Sequence, residues 1–339
     1  MASSTAARIW REPQGALPQT LALVYAVFGY AGGLAAMSVP SWLSLVLGTL
    51  LCAHAMVMAA YLLHEAAHQT LFARRAANRW AGELMSFIAG SCYASYERIQ
   101  SLHLRHHRER ADVACFDYKA FLRRCPRWVT SAICAFEWLH LPATELLMHA
   151  QVIVRPIVSP AQREYLPRVL VCLSLRGAAF AVLAWLAPRV LLGYAVAYVV
   201  MLLWLDFFDA FHHTYEQYFL SEGAPIPGDS RARTQAYERD NTYSNVISVS
   251  TPWLNLLSLN FGYHNAHHER PGVPWYRLPA LHDELVGPAR VVSVSELLVT
   301  YHRHRVRRVV DDDYGQVGSG PGRADGFVGA HGVSFLSVV

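Results

Sequence analysis

No charged residue occurs between Pro13 and Leu63. One membrane span takes roughly 20 apolar residues, so this interval predicts two, at about 17–37 and about 42–63, joined by a turn at SVPSW (38–42). Two further apolar runs, at about 167–187 and about 190–211, predict a second hairpin. The run at 80–95 is too short to span comfortably and reads as interfacial or re-entrant. The run at 128–154 is interrupted by Glu137, His140, Pro142, Glu145 and His149 and reads as interfacial helices. The pattern predicts an all-α polytopic membrane protein with about four transmembrane helices in two hairpins and a cytoplasmic helical cap. Residues 1–16 read as a cytoplasmic arm, 17–310 as the membrane domain, and the Asp- and Gly-rich 311–339 as a flexible tail.

Composition agrees with this picture. Hydrophobic residues make up 53% of the 339 and charged residues 16%, against about 25% charged in soluble proteins; mean hydropathy is +0.20. The net charge of +4 matters less than its placement. Arg and Lys gather at 98–127 and at 303–308, on the side of the spans where both termini and every His-rich segment fall. The positive-inside bias makes that side cytoplasmic and accounts for the basic clusters without nucleic acid. The N-terminal MASSTAARIWREPQ lacks a small-residue cleavage site before a run too long for a signal peptide. The six Cys contain no C-x-x-C pair and suggest no disulfide framework. Arg176 falls near the middle of the third span; such a residue faces the bundle interior with a partner, and Asp206 at similar depth on the fourth span is the proposed ion-pair partner.

The candidate chemistry lies in the 17 His. His64 and His68 stand as H-x-x-x-H at the end of the second span. His103, His106 and His107 stand as H-x-x-H-H, and His264, His267 and His268 repeat that pattern in GYHNAHHERPGVPWYRLP (262–279). On a helix, i, i+3 and i+4 share one face, so each set presents its imidazoles together. Eight imidazoles exceed what one metal takes, so the pattern points to two metals, and imidazole suits Zn, Cu, Fe or Ni. Read alone, HEAAH (64–68) also fits the helical zinc-protease signature with Glu65 as general base and Asp206 or Asp209 as a third ligand. That reading leaves both H-x-x-H-H sets without a role, and a metal transporter or sensor leaves their repeated spacing unexplained.

The three boxes HEAAHQTLF, HLRHH and HNAHH, with the first two a short segment apart and the third far downstream, resemble the membrane fatty acid desaturase/hydroxylase superfamily over about residues 20–285. The resemblance implies a non-haem di-iron centre, two Fe ions held by His64, His68, His103, His106, His107, His213, His264, His267 and His268, with O2 as co-substrate. Relatives commonly carry Asn-x-x-x-His after the fourth span. Here Asp209 and His213 occupy those positions, which leaves Asp209 as a direct ligand or an outer, water-bridged contact and His212 as a neighbour of the ligands. The implied reaction is removal of two hydrogens from a fatty acyl chain to form a C=C bond. Hydroxylation and decarboxylation to a terminal alkene begin with the same hydrogen abstraction and stay open. An apolar tunnel is expected between the spans, with FGYAGG (28–33) and LWLDFFDAF (203–211) as candidate lining. The acyl substrate as free acid, CoA, carrier-linked or lipid-linked chain is open. Without H-P-G-G, paired C-x-x-C or G-x-G-x-x-G segments, the electron donor is expected to be a separate protein such as a ferredoxin or a cytochrome b5, with the Arg-rich segments as one candidate dock.

Overall fold

The structure is a computed structural model, and it describes residues 9–215, 218–220, 223–287, 291–318 and 323–330. The described residues fall into two compact units. The first is drawn from Met1–Gln100 and Val152–Trp204, the second from Ser101–Gln151 and Leu205–Val339.

In the first unit, α1 (Ala16–Ser38) and α2 (Trp42–Ala67) form the expected hairpin. Ser41 caps α2 by accepting from the Ser44 backbone N–H at 3.4 Å. The hairpin packs through small residues. A Cβ on Gly33 would sit 2.8 Å from that of Cys52 and 2.9 Å from the Gly48 carbonyl oxygen, so only glycine lets the two backbones approach this closely. The FGYAGG segment is therefore helix–helix contact at Gly29 and Gly33, and this corrects its reading as tunnel lining. The short apolar run becomes α3 (Arg75–Ala89), which stops at Gly90 with φ of 85°, the left-handed conformation of a helix C-cap. After α4 (Tyr96–Glu109), which runs from the first unit into the second, come β1 (Asp112–Ala114), α5 (Tyr118–Arg124), α6 (Arg127–Trp138) and α7 (Ala143–Val158). The second hairpin is α8 (Leu166–Leu186) and α9 (Pro188–Asp209). Counting flanking turns, the four apolar helices run Pro13–Ser38, Trp42–Ala67, Pro160–Leu186 and Pro188–Asp209, each long enough to cross a bilayer. Trp185 is 86% exposed and Trp42 82%; a bilayer is the solvent that such surfaces match.

Arg176 corrects one expectation. It donates to the Phe87 carbonyl oxygen (2.9 Å) and the Tyr194 hydroxyl (2.6 Å), while Asp206, in the second unit, accepts from the Tyr301 hydroxyl. The reason is local. The end of α3 and a phenol of α9 already offer acceptors to the guanidinium, and among the described residues it makes no ion pair.

The second unit is built on a two-stranded parallel sheet in which β1 pairs with β2 (Tyr218–Leu220), Asp112 opposite Tyr218. Around it stand α10 (Gln235–Asp240), α11 (His264–Glu269), α12 (Leu278–Leu285), α13 (Val294–Arg303) and α14 (Arg305–Val310). The polar interruptions of the 128–154 run have a purpose. Glu137 is fully buried, accepts from the Thr144 backbone N–H (2.7 Å) and pairs with Arg305 (3.2 Å). Arg305 and Arg308 are each 1% exposed, so the 303–308 cluster turns two of its cations inward. Part of the tail read as flexible packs instead. Phe327 and Val328 are fully buried, the Phe327 carbonyl accepts from Thr300 Oγ1 (3.0 Å), and Ala330 N donates to the Ala210 carbonyl (3.0 Å). The apolar residues of GFVGA supply burial that outweighs the Asp and Gly content before them. Residues 319–322 and 331–339 lie outside the described residues. In LWLDFFDAF, Phe207 and Phe211 pack on Tyr301, and Phe211 also packs on Phe327.

Candidate metal centre

Three segments of the second unit carry histidines to one place. The helical spacing of α4 puts His103, His106 and His107 on one face, and α11 does the same for His264, His267 and His268. The chain leaves α9 through a turn and brings His213 into a bridge with Thr242. The result is two groups. In one, ring nitrogens of His106, His213, His264 and His268 lie within 4.8 Å of one another, and all four residues are buried by their surroundings. His213 Nε2 is 2.9 Å from His264 Nε2, and His106 Nε2 is 3.4 Å from His268 Nε2. In the other, His107 Nε2 is 3.2 Å from His103 Nε2 and 3.1 Å from His267 Nε2.

These separations suit ligands of a metal. With metal–nitrogen bonds of about 2.0–2.1 Å, neighbouring ligand nitrogens stand about 3.0–3.4 Å apart. Imidazole–imidazole hydrogen bonds satisfy such nitrogens only in pairs, and the Nδ1 of His264 is buried without a hydrogen-bond partner.

The outer ring nitrogens are held by the fold. His106 Nδ1 lies 2.9 Å from the Ala111 carbonyl oxygen, His268 Nδ1 3.0 Å from Glu238 Oε1, and His213 Nδ1 3.3 Å from Thr242 Oγ1. With Nδ1 engaged, each Nε2 is turned toward the other rings of the group, which is how surrounding groups orient metal-binding His. Tyr215 stacks on the His213 ring at 4.2 Å. Burial, reinforced by neighbouring His, pushes His106 down to about 3 and holds His213 and His264 well below the usual histidine range. The rings are therefore neutral, the state that metal binding needs. Burial disfavours ionisation of Glu238, yet hydrogen bonds from His268 and Arg110 outweigh it and keep the carboxyl below the usual range. Glu238 also groups with His107 and His268 as a potential ligand.

His212 faces another way. Its Nε2 is 2.8 Å from Asn245 Oδ1, its ring stacks on His264 at 3.9 Å, and burial pushes it down to about 3. Asp209 Oδ1 lies 3.9 Å from His212 Nδ1, and among the described residues Asp209 belongs to neither His group. Glu269, beside the last box, accepts from Arg239 and Gln235, and Trp275 is buried with its carbonyl accepting from Asn260.

The first unit contributes its own pair. His64 and His68 stand one turn apart at the end of α2 with ring centroids 4.7 Å apart. The last carbonyls of α2, which have no helical partner, are met by side chains: Ala66 accepts from Tyr96 Oη (2.6 Å) and Ala67 from Gln100 Nε2 (2.7 Å). Glu65 is buried and accepts from Thr70 Oγ1 at 2.6 Å. That engagement suits a structural carboxylate better than a protease base.

Glu238, Thr242, Asn245 and Tyr215 were not legible as site residues. They stand among ordinary polar neighbours, and no spacing marks them. The sequence matches the model of the family described as fatty acid desaturase over residues 40–292, a stretch that holds all three boxes and His213. No curated protein matches the chain.

Proposed function

The chain belongs to the fatty acid desaturase family, and from that premise we propose that it is an O2-dependent acyl-chain desaturase with a His-held di-iron centre. A fatty acid desaturase/hydroxylase-type oxidoreductase in a multi-pass membrane setting is the coarser statement that family and apolar helices carry. The observation that supports the finer reading most is the convergence of seven imidazoles in two groups, each at ligand spacing.

His106, His213, His264 and His268 would hold one iron. His103, His107 and His267 would hold the second, and the family resemblance adds His64 and His68 to the ligand set. Asp209 and His212 stay outer neighbours. Such a centre, when bound, supplies the oxidation of an unactivated C–H bond that no side chain achieves. The chain's own residues do the rest. Ala111, Glu238 and Thr242 hold Nδ1 so that Nε2 is presented, and Tyr215 covers His213 against water. Electrons come from a separate donor of ferredoxin or cytochrome b5 type, and the termini and the His groups face the cytoplasm in accord with the Arg and Lys placement.

The test is expression in a host that lacks the chain, with mass spectrometry of fatty acids and volatile hydrocarbons, and metal analysis of the purified protein. The expected result is a new internal double bond and about two Fe per chain. A hydroxylated acid or a 1-alkene one carbon shorter would replace desaturation with hydroxylation or decarboxylation. One Zn and no Fe would overturn the di-iron reading.

A further inference from the structure

One face of α8 carries Arg168, Cys172 and Arg176, each one helical turn from the next. All three reach the segment that ends α3. Arg168 Nε donates to the Cys92 carbonyl oxygen at 2.9 Å, Cys172 Sγ donates to the same oxygen at 3.3 Å, and Arg176 Nη1 donates to the Phe87 carbonyl at 2.9 Å. Cys92 is buried and Cys172 half-buried.

The two guanidiniums are not equally served. Arg168 has a carboxylate, Glu83, at 3.2 Å from its Nη1. Arg176 is 7% exposed, and its hydrogen bonds go to a carbonyl and to Tyr194 Oη, with the rings of Phe87 and Phe180 each 5.4 Å away. A buried guanidinium in a spanning helix calls for an anion nearby. The Cys92 thiol is beside it and can become one. The Cys172 thiol first, then the charges of Arg176 and Arg168, hold the Cys92 thiol below its ordinary value against the effect of burial. No other described cysteine has this setting: the Cys115 thiol donates to the Met148 carbonyl oxygen, and burial and Glu137 push Cys134 up.

We propose that Cys92 and Cys172 are a reactive thiol pair that closes into an intramolecular disulfide when the protein meets a hydroperoxide. The Cys92 thiolate attacks the peroxide. An S–O bond forms, the O–O bond breaks, and water or an alcohol leaves once the oxygen is protonated. The Cys172 thiol then attacks the Cys92 sulfenic sulfur. The S–S bond forms, the S–O bond breaks, and the Cys172 proton leaves with the oxygen as a second product, water. Two electrons pass from the two thiols to the peroxide. The disulfide ties the segment after α3 to α8, and a thiol reductant reverses it. The pair does not depend on the metal centre or on its reaction.

The test uses the full chain purified in detergent. The protein is exposed to increasing hydrogen peroxide, remaining thiols are alkylated, and the digest is read by mass spectrometry. The expected result is a Cys92–Cys172 linked peptide at the lowest effective dose, lost on reduction, while Cys115 and Cys134 are still alkylated. In Cys172→Ser, dimedone should trap Cys92 sulfenic acid, with no linked peptide. Recovery of Cys92 and Cys172 as alkylated thiols while Cys125 or Cys134 is oxidised would overturn the proposal, and that wild-type measurement holds even if the variant fails to fold.

Discussion

The second unit buries two polar clusters that are satisfied in opposite ways. Around Tyr301 the cluster is charged and closed. Arg305 pairs with Glu137, Asp206 accepts from the Tyr301 hydroxyl, and the guanidiniums of Arg305 and Arg308 lie over the Tyr301 ring at 4.6 and 4.2 Å. One cation meets one carboxylate directly, and α6, α13, α14 and the last residues of α9 are tied together within the second unit. The histidine groups are open. The outer nitrogens of His106, His213 and His268 are engaged by the fold, and the inner ones of the two groups converge at 2.9–3.4 Å. A closed cluster costs desolvation and returns specificity of packing; an open one keeps its remaining valence for a ligand.

The comparison can be broken at four points. The largest effect belongs to the open cluster. His264→Ala or His267→Ala should abolish product formation and lower iron below two per chain while circular dichroism keeps its helical signal; an active variant removes that residue from the ligand set. Next is the closed cluster. Arg305→Met removes the cation that Glu137 meets, a loss of about 3–5 kcal/mol, read as earlier unfolding in detergent. Adding Glu137→Leu should recover most of it, and a double variant as unstable as the single would mean that the pair is not what holds the cluster. Third, Glu238→Gln keeps the shape but weakens the hold on His268. Iron affinity should fall about 10–100-fold, with activity restored by added iron; unchanged affinity would reduce Glu238 to packing. The smallest effect is at the surface, where Arg123 meets Asp312 at 3.2 Å with both side chains more than half exposed. Arg123→Ala should change stability by no more than about 0.5 kcal/mol, and a larger loss would show that the tail beyond Asp311 is held there.

What was legible is what repeats at short range. The spans were readable because a bilayer demands long apolar runs, and the helices begin and end within a few residues of the expected places. The boxes were readable because three imidazoles at i, i+3 and i+4 share a face wherever a helix forms. His213 was found only through resemblance, since a histidine just past a helix carries no spacing of its own. Glu238 and His268, or Cys92 and Cys172, are far apart along the chain, and composition says nothing about such pairs. Arg176 shows the same limit from the other side: a plausible depth match with Asp206 gave way to a carbonyl and a phenol that happened to be nearer.

The sequence by itself determined the membrane class, the four apolar helices and three of the histidine faces, because each depends on hydropathy or helical periodicity over a few turns. Only the tertiary structure decided which nitrogen of each ring faces inward, which cations are buried, and which thiol lies beside which guanidinium. Those are set by contacts between segments distant along the chain, where burial makes each unmatched polar atom costly and so selects the partner.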